Sequence, residues 1–309
     1  MFFFPYRVNL PLGRIPVLTI FIALLCLFIY FKQQSSKQAI ESSFHSFCQQ
    51  QTDRDFRITL KKLVGKHLKN CEQVMYTIYT ADDPDERIEQ LSFIARKVNG
   101  FSPENSQQFI ADNLENKYQQ LSNILPTNMD KKLAYQPGSM NVLNMITSQF
   151  AHADIFHLIG NLLFFVAFAA SVEIVLGSFY YFFIFIGLSL ITSLSYSLSS
   201  MSDPYALPTI GLSGVVMGMI GLFIYLMPTA RIRCLFIFII YFRVFLLPAW
   251  LLAAWYVGWD MYALFVSQAN TNINLVAHVS GAIGGYMIGL FFFRKTKKMI
   301  TPQLKKMIY

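Results

Sequence analysis

The sequence predicts an all-α protein: a polytopic membrane bundle of six transmembrane helices, with a small, mainly helical extramembrane domain inserted after the first span. Three observations lead there. Hydrophobic residues make up 54% of the 309-residue chain and charged residues only 14%, where an ordinary soluble domain carries about a quarter charged. Uncharged apolar stretches long enough to cross a bilayer recur along the chain, and in lipid such a stretch satisfies its own backbone as a helix. One polar segment, 33–140, interrupts the series.

The formal charge of +8 raises nucleic acid as a partner, but its distribution argues otherwise. Segment 33–140 holds 13 basic and 13 acidic side chains, while the rest of the chain carries 12 Lys and Arg against 4 Asp and Glu. Charge set beside apolar stretches encodes membrane orientation. The lipid bilayer is therefore the expected partner, and nucleic acid is not.

Residues 1–14 read as a cytosolic N-terminal segment. Ile15 to Phe31 carries no charge, just enough to span, and Phe28-Ile29-Tyr30-Phe31-Lys32 offers no small-residue cleavage site, so 15–32 reads as a retained signal anchor. Within the 33–140 domain, helical apolar spacing recurs in Phe56–Leu68 and Ile88–Val98, punctuated by Asp82-Asp83-Pro84 and Gly100-Phe101-Ser102-Pro103. Region 141–293 is expected to supply five further spans: His157–Leu176, Phe179–Leu198, Ile210–Met227, Leu235–Ala254 and Asn274–Phe293. Gly177-Ser178, the whole connection between the first two of these, forces antiparallel neighbours. A basic tail, 294–309, follows.

With a cytosolic N-terminus, six spans return the C-terminus to the cytosol. Arg7, Arg14, Arg231, Arg233 and the six Lys and Arg residues of the tail then share that side, ten of the twelve basic residues outside the 33–140 domain. Asp154, Asp203 and Asp260 fall on the other side, and so does that domain. A multi-pass integral membrane protein is the expected setting. Cys26 and Cys234 lie in or near the membrane. Cys48 and Cys71 lie in the external domain, where an oxidising compartment permits a disulfide that spacing alone does not decide.

Ionisable and polar groups within spans are costly and therefore candidate functional groups. His157 and Asn161, four residues apart, share one helix face near the external end of the second span. Ser213 sits between Gly211 and Gly214 at the start of the fourth, and His278 near the start of the sixth. Even-numbered spans all start outside, so the four groups are expected at one depth. A serine hydroxyl needs an adjacent base to become a nucleophile, and imidazole suits that task without a third carboxylate. Asn161, His157 and the Ser213 N–H are candidate donors to an oxyanion. Gly214 with Gly218, and Gly281 with Gly285, are four-residue small pairs that let membrane helices pack closely. His45 and His67 lack metal-ligand spacing, and no metal or cofactor is expected. Arg243 falls inside the expected fifth span, to snorkel toward the cytosol or to pair with Glu173.

Phe150-Ala151-His152, His157-Leu158-Ile159-Gly160-Asn161, Glu173, Gly177, Gly211-Leu212-Ser213-Gly214, and Ala277-His278 with Gly281 and Gly285 resemble the rhomboid intramembrane proteases in order and spacing. The resemblance covers about 134–293. It implies Ser213 as nucleophile, His278 as base, His157 and Asn161 lining the oxyanion hole, and His152 and Glu173 in supporting roles. It also implies membrane proteins, single-span ones among them, as substrates, entering from lipid between the second and fifth spans. Pro228-Thr229-Ala230-Arg231-Ile232-Arg233 and Leu247-Pro248-Ala249-Trp250 look like the bacterial branch, which implies a bacterial inner membrane as the setting.

Leu143-Asn144 replaces a Trp-Arg pair seen in many members. Met217 stands where an aromatic often stacks on the base, and the domain after the first span is far longer than usual. The competing reading is an inactive relative that binds membrane proteins and steers their fate; such relatives commonly lack the serine or the histidine, and both are kept here.

Overall fold

The computed structural model describes residues 2–8, 14–64, 70–81, 83–201, 203, 206–238, 241–267 and 274–308. The elements run β1 (Phe2–Val8), α1 (Val17–Gln50), α2 (Arg54–Leu63), α3 (Cys71–Tyr79), α4 (Pro84–Ile94), α5 (Pro103–Ile124), α6 (Met129–Leu133), α7 (Val142–Thr147), α8 (Ile155–Leu176), α9 (Ser178–Ser199), α10 (Ser213–Leu226), β2 (Arg231–Phe238), β3 (Tyr241–Pro248), α11 (Ala249–Tyr262), α12 (Leu275–Phe292) and α13 (Arg294–Ile308). The fold is mostly helical, and it divides into two compact units, Gln34–Met129 and the remainder.

The Gln34–Met129 unit has its own core, in which Phe56, Val74, Ile78, Leu91, Leu114 and Leu121 are buried. The punctuation in its sequence consists of helix caps. Asp83 accepts the N–H groups of Asp85 and Glu86 ahead of α4, and Ser102 accepts that of Asn105 ahead of α5. Each cap is followed by proline at the first helical position, where its missing N–H costs nothing. Cys48 and Cys71 are joined in a disulfide with Cα atoms 5.9 Å apart, within the usual range. His45 is exposed and contacts the Glu72 carboxylate at 2.7 Å. His67 lies outside the described residues.

In the other unit, α1, α8, α9, α12 and α11 with its π-helical continuation to Val266 are long and apolar enough to cross a membrane. α10, of 14 residues, is shorter, and all of it except Ser213 and Ile224 is buried. A helix apolar all round belongs inside a bundle rather than on its surface. Glu173 at the end of α8 is buried and accepts four hydrogen bonds, from the N–H groups of Leu18 and Thr19 (2.9 and 2.7 Å), Thr19 Oγ1 (2.7 Å) and Ser178 Oγ (2.7 Å). Two of these are orphan donors at the start of α1, so one carboxylate ties α1, α8 and α9 together.

The expected fifth span, Leu235–Ala254, requires correction. Residues 231–248 form an antiparallel hairpin, with Arg231 opposite Pro248 and Phe238 opposite Tyr241. β1 adds on the other edge of β2, from Phe2 opposite Ile237 to Val8 opposite Ile232. The cause is a two-residue alternation, in which Ile232 and Cys234 are fully buried while Arg231 is exposed. A short apolar run rich in Ile and Phe does not by its composition separate helix from strand. The fifth membrane helix starts at Ala249, after Pro248. Arg243 accordingly sits exposed on β3 rather than inside a span.

Candidate active site

Asp154 opens α8, its Oδ1 accepting the N–H groups of Phe156 (2.8 Å) and His157 (2.9 Å). The His157 N–H, followed by that of Phe156, holds this carboxyl below its ordinary pKa. The cap fixes the first turn, from which His157 and Asn161 project on one face. Asn161 is buried, and its Nδ2 makes no hydrogen bond with any described residue.

A loop then lies against that face. Tyr135 and Thr209 exchange backbone hydrogen bonds of 3.0 and 2.9 Å, and the Gly211 N–H donates to Ser148 O at 2.9 Å. Gly211 has φ +124°, and a Cβ there would stand 2.8 Å from His157 Cε1 and 3.8 Å from Asn161 Nδ2. Glycine is required twice over, by the backbone conformation and by the close approach. Asn144 supplies the anchor that Leu143-Asn144 left open, its Nδ2 donating to Lys132 O (3.0 Å) and Ala134 O (2.8 Å).

From this loop the chain turns into α10 at Ser213. α10 and α12 pack backbone against backbone: a Cβ on Gly281 would overlap the Gly214 carbonyl, and one on Gly285 would overlap the Gly218 carbonyl. A Cβ on Gly214 would lie 3.4 Å from the Ala277 Cβ. Ser213 and His278 are the chain neighbours of these touching residues, so both stand at one level of two parallel helices. Ser213 also lines, with Ser148, Gln149, Thr192 and Asn274, a small cavity of about 20 Å³. Met217, one turn along α10, is buried.

His278 Nδ1 lies 2.8 Å from Asp260 Oδ2, and His278 Nε2 is buried without a hydrogen bond to any described residue. Asp260 did not figure among the candidates. Its signal was a lone carboxylate close to an apolar stretch, which the misplaced fifth span assigned to an external loop.

His152 is fully buried, its backbone N–H donating to Gln33 Oε1 (3.1 Å) and its carbonyl accepting from Gln33 Nε2 (3.3 Å). Its ring meets that of His157 edge-on, with centroids 5.3 Å apart. Burial, and then the neighbouring His157, push its pKa down to about 4, so it is neutral at physiological pH. Glu173 is not at this site: sixteen residues along α8 from His157, it lies about 24 Å away at 1.5 Å per residue.

The sequence profile of the Rhomboid domain matches residues 139–295, just over half of the chain. The chain belongs to the rhomboid family. No individual curated protein matches it. Five apolar helices of spanning length and the Rhomboid domain make it a multi-pass integral membrane protein. Rhomboids act on membrane-protein substrates in the bilayer and are generally serine intramembrane proteases; this chain is such a protease or a rhomboid-like protein.

Proposed function

We propose that the protein is an intramembrane serine endopeptidase that cuts a peptide bond in or near a transmembrane segment of other membrane proteins, using a Ser213–His278 dyad. The observation that carries the reading is His278 Nε2, buried and without a hydrogen bond to any described residue, at the level of Ser213 on a helix packed directly against α10. Ser213 Oγ attacks the scissile carbonyl carbon as its proton passes to Nε2. The C–N bond breaks, His278 returns the proton to the leaving amine, and an acyl-Ser213 remains. Water then attacks the acyl group, giving its proton to His278, and Ser213 is regenerated.

The oxyanion of each tetrahedral intermediate is held by the Ser213 N–H, His157 and Asn161 Nδ2. The Ser213 N–H sits at the positive end of α10. Gly211, Gly214, Gly281 and Gly285 permit the close approach of these groups, while Met217, His152 and Glu173 support the scaffold. A peptide bond inside a helix is shielded by its own hydrogen bonds, so substrates that unwind easily near the cut are favoured. Both termini and the 294–309 tail are cytosolic, and the domain within 33–140 is external, in keeping with a bacterial inner membrane.

The test is cleavage of a single-span substrate by the full chain in liposomes. Wild type is expected to cut it, and Ser213→Ala and His278→Ala to lose at least about 10³-fold in rate, as loss of nucleophile or base costs other serine hydrolases. Equal cleavage by all three proteins contradicts the dyad. An uncut substrate with every protein favours the rhomboid-like binding role.

A further inference from the structure

We infer that Asp260 is a positioning residue for this reaction: its carboxylate selects the His278 tautomer and aims the ring at Ser213. The inference rests on the dyad reading above. It replaces a serine and histidine acting alone with a three-membered relay assembled from α10, α11 and α12.

The geometry carries the idea. Asp260 Oδ2 lies 2.8 Å from His278 Nδ1, and the two side chains are only 18% and 13% exposed. Asp260 is on α11 and His278 on α12, so the contact joins two separate membrane helices. Other acidic side chains of this unit have other tasks: Asp130 accepts from Gln33, Asp154 caps α8 and Glu173 holds the start of α1. Asp260 is the carboxylate that meets the candidate base.

An ionised carboxylate only accepts hydrogen bonds, so a neutral His278 bonded to it carries its proton on Nδ1. That leaves a lone pair on Nε2, the nitrogen that is buried without a hydrogen bond to any described residue. Without the carboxylate either tautomer is available, and the one protonated at Nε2 cannot take a proton from Ser213. When the proton does pass from Oγ to Nε2, an imidazolium forms 2.8 Å from the carboxylate and is stabilised where little water competes. Asp260 needs no contact with substrate for either effect.

The alternative is that the pair merely fastens α11 to α12. The 309-residue chain in liposomes separates the two through Asp260→Ala, Asp260→Asn and Asp260→Glu, assayed beside Ser213→Ala and His278→Ala. Asp260→Ala and Asp260→Asn are expected to lower kcat by about 100-fold, the low end of what general-base catalysis contributes, with KM and the folded fraction unchanged. Asp260→Glu is expected to recover most of that loss. Nitrogen NMR on histidine-labelled protein supplies a signature that fastening alone does not move. The His278 signal, identified by its loss in His278→Ala, is expected to show Nδ1 protonated in wild type and Nε2 protonated, or a mixture, in Asp260→Ala. A wild-type kcat in Asp260→Ala beside inactive Ser213→Ala and His278→Ala overturns the inference and leaves the dyad standing. So does an unchanged His278 tautomer, or a kcat that falls only in step with the folded fraction. Active Ser213→Ala or His278→Ala overturns the dyad and the inference together.

Discussion

His152 shows how one buried side chain ties the candidate site to pH. Its pKa is lowered from 6.5 to about 4 in the fold, so below pH 6.5 the unfolded chain binds a proton that the folded chain refuses. The resulting stability is present above pH 6.5 and is lost as pH falls toward 4, up to about 3 kcal/mol in all. Thermal unfolding in detergent at pH 7 and pH 5 is expected to show a larger drop for wild type than for His152→Gln; parallel drops contradict this. Ser213, His278, His157 and Asn161 were legible in the sequence because polar groups are conspicuous in apolar helices. Asp260 was not, since its meaning depends on where α11 begins. Asn144 was noticed only as a departure from the family pattern, because a single amide bonding two carbonyls leaves no spacing to read.

Among the elements, the α10–α12 pair is the one whose sequence most directly states its packing. Gly214, Gly218, Gly281 and Gly285 foretold close helices, and the backbones do meet there. Gly285→Val is expected to destabilise the protein by more than about 3 kcal/mol, beyond the usual 1–3 kcal/mol for overpacking, because the added atoms meet backbone rather than movable side chains. Loss of the folded species in denaturant titration checks this, and a midpoint equal to wild type contradicts it. The β1–β2–β3 sheet was not legible. The strand alternation in Arg231-Ile232-Arg233-Cys234 stops just ahead of the run Leu235–Ala254, whose mean apolarity suits a helix, and the pairing strand Phe2–Val8 is more than two hundred residues away in sequence. A long-range edge of this kind leaves no local mark on the partner.

For the whole molecule, charge asymmetry and apolar runs conveyed the membrane bundle, whereas the Cys48–Cys71 link required coordinates. That link is in keeping with the external placement proposed for the Gln34–Met129 unit. On electrophoresis, reduction is expected to shift the mobility of wild type but not of Cys48→Ala. The variant is also expected to lose about 2–4 kcal/mol of stability in that unit, as removal of a loop-closing disulfide does; identical thiol accessibility in the two proteins contradicts the disulfide. The central claim, that Ser213 is a nucleophile activated by His278, is tested most directly by reacting the membrane-embedded protein with a fluorophosphonate and locating the adduct by peptide mass spectrometry. The expected result is a single adduct on Ser213, formed by wild type and almost absent from His278→Ala. An adduct elsewhere, or equal labelling of Ser213 in both proteins, contradicts it.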